Sequence, residues 1–268
     1  MNRQQAIATL DTIFRSYRFV GEWQGERPDP TAFVDALPDL TPATFLDTLF
    51  DQYARQFGAE RWGDKTPVYT SYMDLIAQIF PTAQFIHIIR DGRDVALSMV
   101  DKWGHKEFHI DLYFAAQSWK RRLRKAFASA VKLGPARYYE LRYEQLTADP
   151  EPLLREICHF LGEDYLPALA EPQHLGRERI RPGGFHAAVR QPPTTKQSGR
   201  WQREMSPADQ RIFQAVAGDT LEQLDYETAN LGKMSLSESA RFAGLHAKYT
   251  MLQAGRRILQ TIGVLYPN

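Results

Sequence analysis

The chain has 268 residues, and its 33 basic and 32 acidic side chains give a formal net charge of +1, so no global attraction to nucleic acid or membrane is expected. With 43% hydrophobic residues it can bury a sizeable core, as one large domain or two small ones. The single cysteine, Cys158, excludes an internal disulfide and favours a reducing compartment, so we predict a cytoplasmic protein.

The first eighty residues predict helices. The opening stretch MNRQQAIATLDTIF has a helical stripe and is too polar for a secretory signal. Thr41 and Pro42 suit the start of a second helix, whose apolar residues recur every fourth position until Gly58. A turn containing GDKTP follows, and SYMDLIAQIF then predicts a short helix that ends before Pro81. No run of 18 apolar residues occurs, so no membrane span is predicted.

The middle of the chain predicts two strands, FIHII at 85–89 and RYYELR at 137–142. Between them lie a helix that starts near Asp94 and a long basic amphipathic helix at 111–132. Helices at 150–162, from Ser206 onward and after Asn230 follow. Because strands alternate with helices, we predict an α/β fold with a parallel sheet. We predict one domain over residues 1–230 and a helical extension over 231–268.

Residues 171–200 are rich in Pro, Gly, Arg and Gln and lack periodicity, which predicts a loop long enough to act as a lid. Its basic side chains either favour an anionic acceptor or only solvate a mobile segment, and the sequence leaves both interpretations open. These side chains are Arg177, Arg179, Arg181, His186 and Arg190.

The strand FIHII runs directly into RDGRDVALS, the kind of strand-to-helix junction at which open α/β sheets bind ligands. The start of a helix offers free amides and a partial positive charge. Arg90 at the end of the strand and Ser98 in the helix therefore suit one phosphate group. Alternatively, the charged residues of RDGRD pair with one another at a turn.

Motifs for other chemistries are missing. The sequence has no Walker A loop, since GKMS at 232–235 lacks the first glycine and a preceding strand, so a nucleotide kinase is disfavoured. The seven histidines show no metal-binding spacing, and His105 and His109 are interpreted as surface residues, so no metal is predicted. RRLRK at 121–125 is interpreted as the solvated face of an amphipathic helix, so no nucleic-acid partner is predicted.

Three stretches occur in one order: GDKTP, the strand with RDGRDVALS, and SGRWQREMS, with YYELRYEQLTADP between the last two. This combination resembles the sulfotransferases that use 3′-phosphoadenosine-5′-phosphosulfate (PAPS), and is most similar to a bacterial branch near the tyrosylprotein and carbohydrate sulfotransferases. The resemblance runs from about Thr41 to Tyr226. It implies a P-loop NTPase-like three-layer fold, and transfer of a sulfonyl group from PAPS to a hydroxyl or amine. The acceptor stays open among small molecules, carbohydrates and peptides.

The resemblance also implies roles for single residues. Arg90 and Ser98 match the pair that holds the 3′-phosphate of the donor, and Tyr143 matches an aromatic residue near the adenine. Ser198 and Arg200 match the loop that closes over the donor.

Lys65, in GDKTP, matches the lysine that bridges the leaving phosphate and the sulfonyl group, with Thr66 as a hydroxyl donor beside it. A fixed ammonium stabilises the negative charge that develops as the phosphate leaves. Alternatively, GDKTP is an ordinary turn with a surface pair between Lys65 and Asp64.

One part of the family pattern is missing from this sequence. The family opens with a strand and a glycine-rich loop of the type PRSGTT, and no such stretch is found here; IFRSYRFVG at 13–21 lacks the glycine and the paired threonines. We therefore expect a sheet without its first strand and poor activity of the chain by itself. The alternative function is a non-catalytic relative that binds a nucleotide or a protein partner.

Overall fold

The structure is a computed structural model that describes residues 1–16, 23, 25–104, 110–171 and 194–261. The chain divides into two compact units, Met1–Ala83 and Gln84–Asn268. The division into a domain over residues 1–230 and an extension over 231–268 stays a prediction.

Helices dominate both units. The α-helices are, in chain order, α1 (Arg3–Arg15), α2 (Pro30–Asp35), α3 (Pro42–Arg55), α4 (Met73–Ile79), α5 (Gly92–Trp103), α6 (Leu112–Leu133), α7 (Tyr143–Ala148), α8 (Pro150–Leu161), α9 (Arg200–Glu204), α10 (Pro207–Gln223) and α11 (Leu236–Thr261). The strands are β1 (Phe85–Ile89) and β2 (Tyr138–Arg142), and short 3-10 helices span Pro67–Ser71, Pro167–Ala170 and Thr195–Gln197. Within the described residues, no helix is long and apolar enough to cross a membrane.

The first unit is built from capped amphipathic helices. Asn2 and Gln5 form a capping box at the start of α1, in which each side chain accepts a hydrogen bond from the other residue's amide. Thr41 caps α3 with Pro42 at its first position, as the sequence predicts. The apolar faces of these helices bury a small core. Its residues are Ala6, Leu10, Phe14, Trp23, Phe33, Val34, Phe45 and Leu49.

The second unit contains the sheet. Strands β1 and β2 pair in parallel, with Phe85 opposite Tyr138 and Ile89 opposite Arg142. The crossover between them consists of α5 and α6, which confirms the predicted α/β class with a parallel sheet. Because parallel strands end at the same edge of a sheet, the residues that follow β1 and β2 come out side by side.

Helix α6 is the centre of the core of the second unit. Its buried face, from Leu112 to Leu123, packs against α5 and α10. Helix α11 lies against its first turns, where the Tyr113 hydroxyl is 2.7 Å from His246 Nδ1. At the crossing with α5, the Trp119 ring lies against Gly92, where an added Cβ would be 2.5 Å from the indole carbon Cδ2. Only glycine allows this close approach of the two helices.

We expect Gly92→Ala to lower the free energy of unfolding by about 1–3 kcal/mol, because the new methyl group forces α5 and the Trp119 ring apart. Chemical denaturation monitored by circular dichroism measures this change. Gly244→Ala is the matched control, since Gly244 lies in α11 with no atom within 4 Å of an added Cβ. The control should gain stability of about 0.5–1 kcal/mol from helix propensity. Equal effects at both positions would contradict this account of the packing.

Candidate active site

The charged residues at the β1–α5 junction form a buried ion pair. Asp91 caps α5 by accepting from the Arg93 amide at 2.9 Å, and the Arg93 guanidinium donates to both Asp91 oxygens at 3.0 and 2.7 Å. The two residues are 5% and 2% exposed. The expectation of a free amide for a ligand was therefore wrong for Arg93, because a carboxylate of the chain occupies that amide. For Asp91 and Arg93, the structure therefore agrees with the alternative in which the charged residues of RDGRD pair with one another.

Arg90 leaves the end of β1 and lies between several partners. Its Nη2 donates to the carbonyl of Gln197 and lies 3.7 Å from Asp94 Oδ2. Its guanidinium also lies over the Tyr143 ring, 4.8 Å from the centroid, because Tyr143 follows the neighbouring strand β2. The side chain is only 19% exposed. One face of the guanidinium is thus fixed, and its orientation is set before any ligand binds.

Asp94 fastens the segment that contains SGRW to the first turn of α5. It accepts from the Gly199 amide at 2.8 Å and from the Trp201 amide at 2.9 Å, and it has no exposed surface. Burial raises the pKa of Asp94, although the two amides and the Arg90 guanidinium lower it. The Trp201 ring lies under the Arg93 guanidinium, 3.4 Å from the centroid. The segment is therefore held by both hydrogen bonds and a cation–π contact.

Two polar atoms at this place are buried without a hydrogen-bond partner among the described residues, Arg90 Nε and Ser198 Oγ. Buried donors without partners are rare in folded proteins, and each costs free energy. Arg90 Nη2 donates to the carbonyl of Gln197, the residue before Ser198, so the Arg90 side chain lies next to the segment that contains Ser198. The structure thus brings Arg90, Tyr143 and Ser198 together.

Two other predicted site residues of this unit have different surroundings. Ser98 is half-buried in the second turn of α5, and its hydroxyl forms no hydrogen bond within the described part of the chain. Arg200 binds Glu204 through Nε and Nη2 and donates from Nη2 to Asp101 at 2.8 Å. These hydrogen bonds raise the pKa of Arg200. Among the described residues, no hydrogen bond of its Nη1 is seen.

Lys65 and Thr66 lie in the first unit. Thr66 immediately precedes the 3-10 helix that begins at Pro67, and its hydroxyl donates to Asp64 at 3.4 Å. Lys65 is exposed and forms no ion pair with the described residues, so the alternative of a Lys65–Asp64 pair is not observed. Burial, followed by a hydrogen bond to Asp64, raises the pKa of Tyr69 to about 12.

Sequence reasoning gave Asp94 only a place near the start of the helix and a possible pairing within RDGRD, and it assigned no role to Trp201 or Glu144. Glu144 follows β2, and it accepts from the Asp91 amide at 2.9 Å and from the Tyr226 hydroxyl at 3.1 Å. Asp94 and Trp201 belong to the motifs RDGRD and SGRW, which the sequence analysis identified. No sequence signal predicted the hydrogen bond between the Trp201 amide and the Asp94 carboxylate. His105, His109 and the basic side chains from Arg177 to Arg190 lie outside the described residues. Within the described part, no three side chains are grouped to hold a metal ion.

Residues 5–167, more than half of the 268-residue chain, match the sequence profile described as the Sulfotransferase family. The chain belongs to the sulfotransferase family. It is similar to the omega-hydroxy-beta-dihydromenaquinone-9 sulfotransferase Stf3 of Mycobacterium bovis, with 31% identity over 132 residues, 40% of this chain and 31% of that protein. Protein-tyrosine sulfotransferase 2 of Gallus gallus is 25% identical over 151 residues, 56% of this chain and 40% of that protein. This sulfotransferase-family chain spans about a third of the length of the curated relatives it matches.

Solved structures of the family have the same fold. The sulfotransferase domain of the Synechococcus PCC 7002 olefin synthase has a TM-score of 0.58 at 22% identity, covering 83% of this chain and 81% of that structure. The sulfotransferase domain from the curacin biosynthetic pathway has a TM-score of 0.50 at 19% identity, covering 85% and 79%. These likenesses confirm the predicted sulfotransferase-type α/β fold.

The buried Asp91–Arg93 pair generates a stability prediction. We expect Arg93→Ala to cost about 3–5 kcal/mol of unfolding free energy, because it leaves the Asp91 carboxylate buried without its partner. The control is Arg155→Ala, which breaks an Arg155–Glu151 pair whose side chains are 57% and 54% exposed and should cost at most about 1 kcal/mol. Urea denaturation compares the two variants, and similar small losses in both would contradict the assigned role of Asp91–Arg93.

Proposed function

We propose that this chain is a sulfotransferase that moves a sulfonyl group from PAPS to an acceptor hydroxyl or amine. We propose further that the 3′-phosphate of the donor binds at Arg90 and Ser198. The observation that carries the proposal is a pair of buried donors, Arg90 Nε and Ser198 Oγ, that find no hydrogen-bond partner in the described part of the chain. A phosphate oxygen accepts from both groups at once and removes the free-energy cost of their burial.

The surroundings of Arg90 support an anion at this place. Its Nη2 is occupied by the Gln197 carbonyl, and its Nε is left as a donor without a partner among the described residues. The Tyr143 ring is fixed against the same guanidinium. An adenine near Tyr143 and a phosphate at Arg90 are consistent with one nucleotide that bears a 3′-phosphate. Ser98 and the Nη1 of Arg200 are proposed as further donors to it.

Lys65 is the proposed catalytic group. In the reaction, the bond between sulfur and the bridging oxygen of the donor breaks, and adenosine 3′,5′-bisphosphate leaves. A bond between sulfur and the acceptor oxygen or nitrogen forms, and the proton of the acceptor passes to water. Negative charge collects on the bridging oxygen, and an ammonium that has no carboxylate partner can stabilise it. Lys65 meets this condition within its own unit, because it forms no ion pair with the described residues. Thr66 is proposed to support it through its hydroxyl.

The names of the relatives indicate the class of acceptor. One relative is named for a hydroxylated dihydromenaquinone and another for protein tyrosine. The compounds in both names, a hydroxylated menaquinone and tyrosine, contain a hydroxyl group. We therefore propose a hydroxyl acceptor, on a small molecule or a peptide.

The nucleotide site is tested by isothermal titration of the chain with adenosine 3′,5′-bisphosphate and with 5′-AMP. We expect tight binding of the bisphosphate and weak binding of 5′-AMP. Arg90→Ala should weaken the bisphosphate by about tenfold to a hundredfold, because a hydrogen bond to a charged group is worth about 1.5–3 kcal/mol. Binding of 5′-AMP should change little. Arg137→Ala, at an arginine before β2, controls for the loss of positive charge.

The role of Lys65 is tested by single-turnover transfer from PAPS to a phenol used as a model acceptor. We expect Lys65→Ala to slow transfer by about a hundredfold or more, while the affinity for adenosine 3′,5′-bisphosphate stays within about twofold of wild type. Lys233→Ala, at an exposed lysine of the second unit, is the control. Nucleotide binding without any transfer by wild type would favour the alternative of a non-catalytic relative. Failure to bind the bisphosphate would overturn the proposed function.

A further inference from the structure

Ser198 is held from both sides by residues of the β1–α5 junction. On one side, the Gln197 carbonyl accepts from Arg90 Nη2. On the other side, the Gly199 amide donates to Asp94 Oδ2 at 2.8 Å. The backbone on each side of Ser198 is therefore fixed to two residues, Arg90 and Asp94, that are four positions apart on the same junction.

Asp94 binds the backbone of the segment around Gly199. Both of its oxygens are used, because Oδ1 accepts from the Trp201 amide at 2.9 Å while Oδ2 accepts from Gly199. Gly199 has a φ of +68°, a left-handed conformation that favours glycine, so the chain turns sharply between Ser198 and Arg200. Asp94 has no exposed surface, and only satisfied hydrogen bonds make such a burial tolerable. A change in the position of Asp94 would therefore move Ser198.

The same hydrogen bonds decide which groups are left for a ligand. The Gly199 and Trp201 amides are occupied by Asp94, so they do not offer hydrogen bonds to an anion. Two donors in this region, the Ser198 hydroxyl and Arg90 Nε, have no partner among the residues that the structure describes. Selectivity for a phosphate at this place thus depends on where the Ser198 hydroxyl lies relative to Arg90.

We propose that Asp94 is a positioning residue that sets the preference for a nucleotide with a 3′-phosphate, by fixing Ser198 beside Arg90 through the Gly199 and Trp201 amides. This inference rests on the proposed function. Asp94 does not touch the ligand in this arrangement. Asp94 Oδ2 also lies 3.7 Å from Arg90 Nη2, a separation too long for a hydrogen bond, so its main effect on binding passes through Ser198. The removal of either residue should therefore lower the preference for the 3′-phosphate.

The test is a double-mutant cycle with Asp94→Asn and Ser198→Ala. Asparagine keeps one acceptor oxygen and places an NH2 group against the second amide, so the segment loses one of its two bonds. The quantity measured is the ratio of the dissociation constants of 5′-AMP and adenosine 3′,5′-bisphosphate, by isothermal titration at one salt concentration. Each single variant should lower this ratio by about tenfold. The double variant should lower it no further, because both changes remove the same interaction.

The controls separate positioning from general stability. Asp164→Asn removes one negative charge from an exposed loop residue and should leave the ratio unchanged. Asp94→Glu keeps the charge but moves the two oxygens, and it replaces Asp94→Asn if that variant does not fold. It too should lower the ratio, since the oxygens no longer meet both amides. Unfolding curves for every variant show whether it is folded under the conditions of the titration, so that dissociation constants are compared between folded proteins.

Each remaining outcome overturns the inference. A variant of Asp94 that weakens both ligands equally leaves the ratio unchanged, and Asp94 is then only structural. Additive effects of Asp94→Asn and Ser198→Ala would mean that Asp94 does not act through Ser198. If wild type prefers the bisphosphate, Ser198→Ala loses that preference and the Asp94 variants keep it, the proposed function stands and this inference is wrong. If wild type has no preference, both the proposed function and this inference are wrong.

Discussion

The hydrogen bonds of the buried Asp94 carboxylate connect parts of the chain that are more than one hundred positions apart. A carboxylate without exposed surface is costly unless its oxygens are satisfied, and here two backbone amides satisfy them. Because those amides belong to Gly199 and Trp201, the segment that carries Ser198 and Arg200 has one defined position against α5. Arg90 meets the same segment at the Gln197 carbonyl, two residues before the first amide that Asp94 binds, so the arrangement of the candidate site includes this contact.

The charged residues of RDGRD divide their roles by the partners that they find. Asp91 and Arg93 satisfy each other, cap α5 and support the Trp201 ring, so they are structural. Asp94 uses its charge on distant amides. Arg90 alone among them keeps a buried donor without a partner in the described residues. The structural interpretation of the motif therefore holds for Asp91 and Arg93, and the ligand-binding interpretation stays a proposal for Arg90.

The close approach of α5 and α6 also helps to fix the β1–α5 junction. Gly92 lets the Trp119 ring lie directly on the first turn of α5, and the Trp119 indole donates to the Arg90 carbonyl at 3.2 Å. Glu144, at the end of β2, binds the Asp91 amide in turn. Backbone and side-chain contacts thus fix the junction on both sides. A junction fixed in this way also restricts the orientation of the Arg90 side chain, which donates to the Gln197 carbonyl and lies over the Tyr143 ring.

Local sequence patterns were enough to predict the short elements and the family. Thr41 and Pro42 gave the start of α3, FIHII gave β1, and the order of GDKTP, RDGRDVALS and SGRW indicated a sulfotransferase, because caps, periodicity and motif spacing act over short stretches. The folded structure was needed to show that Asp94 binds the amides of Gly199 and Trp201, and that Tyr143 and the Gln197 carbonyl contact Arg90. No pattern in the sequence encodes these pairings, because they depend on how strands and helices pack after the chain has folded.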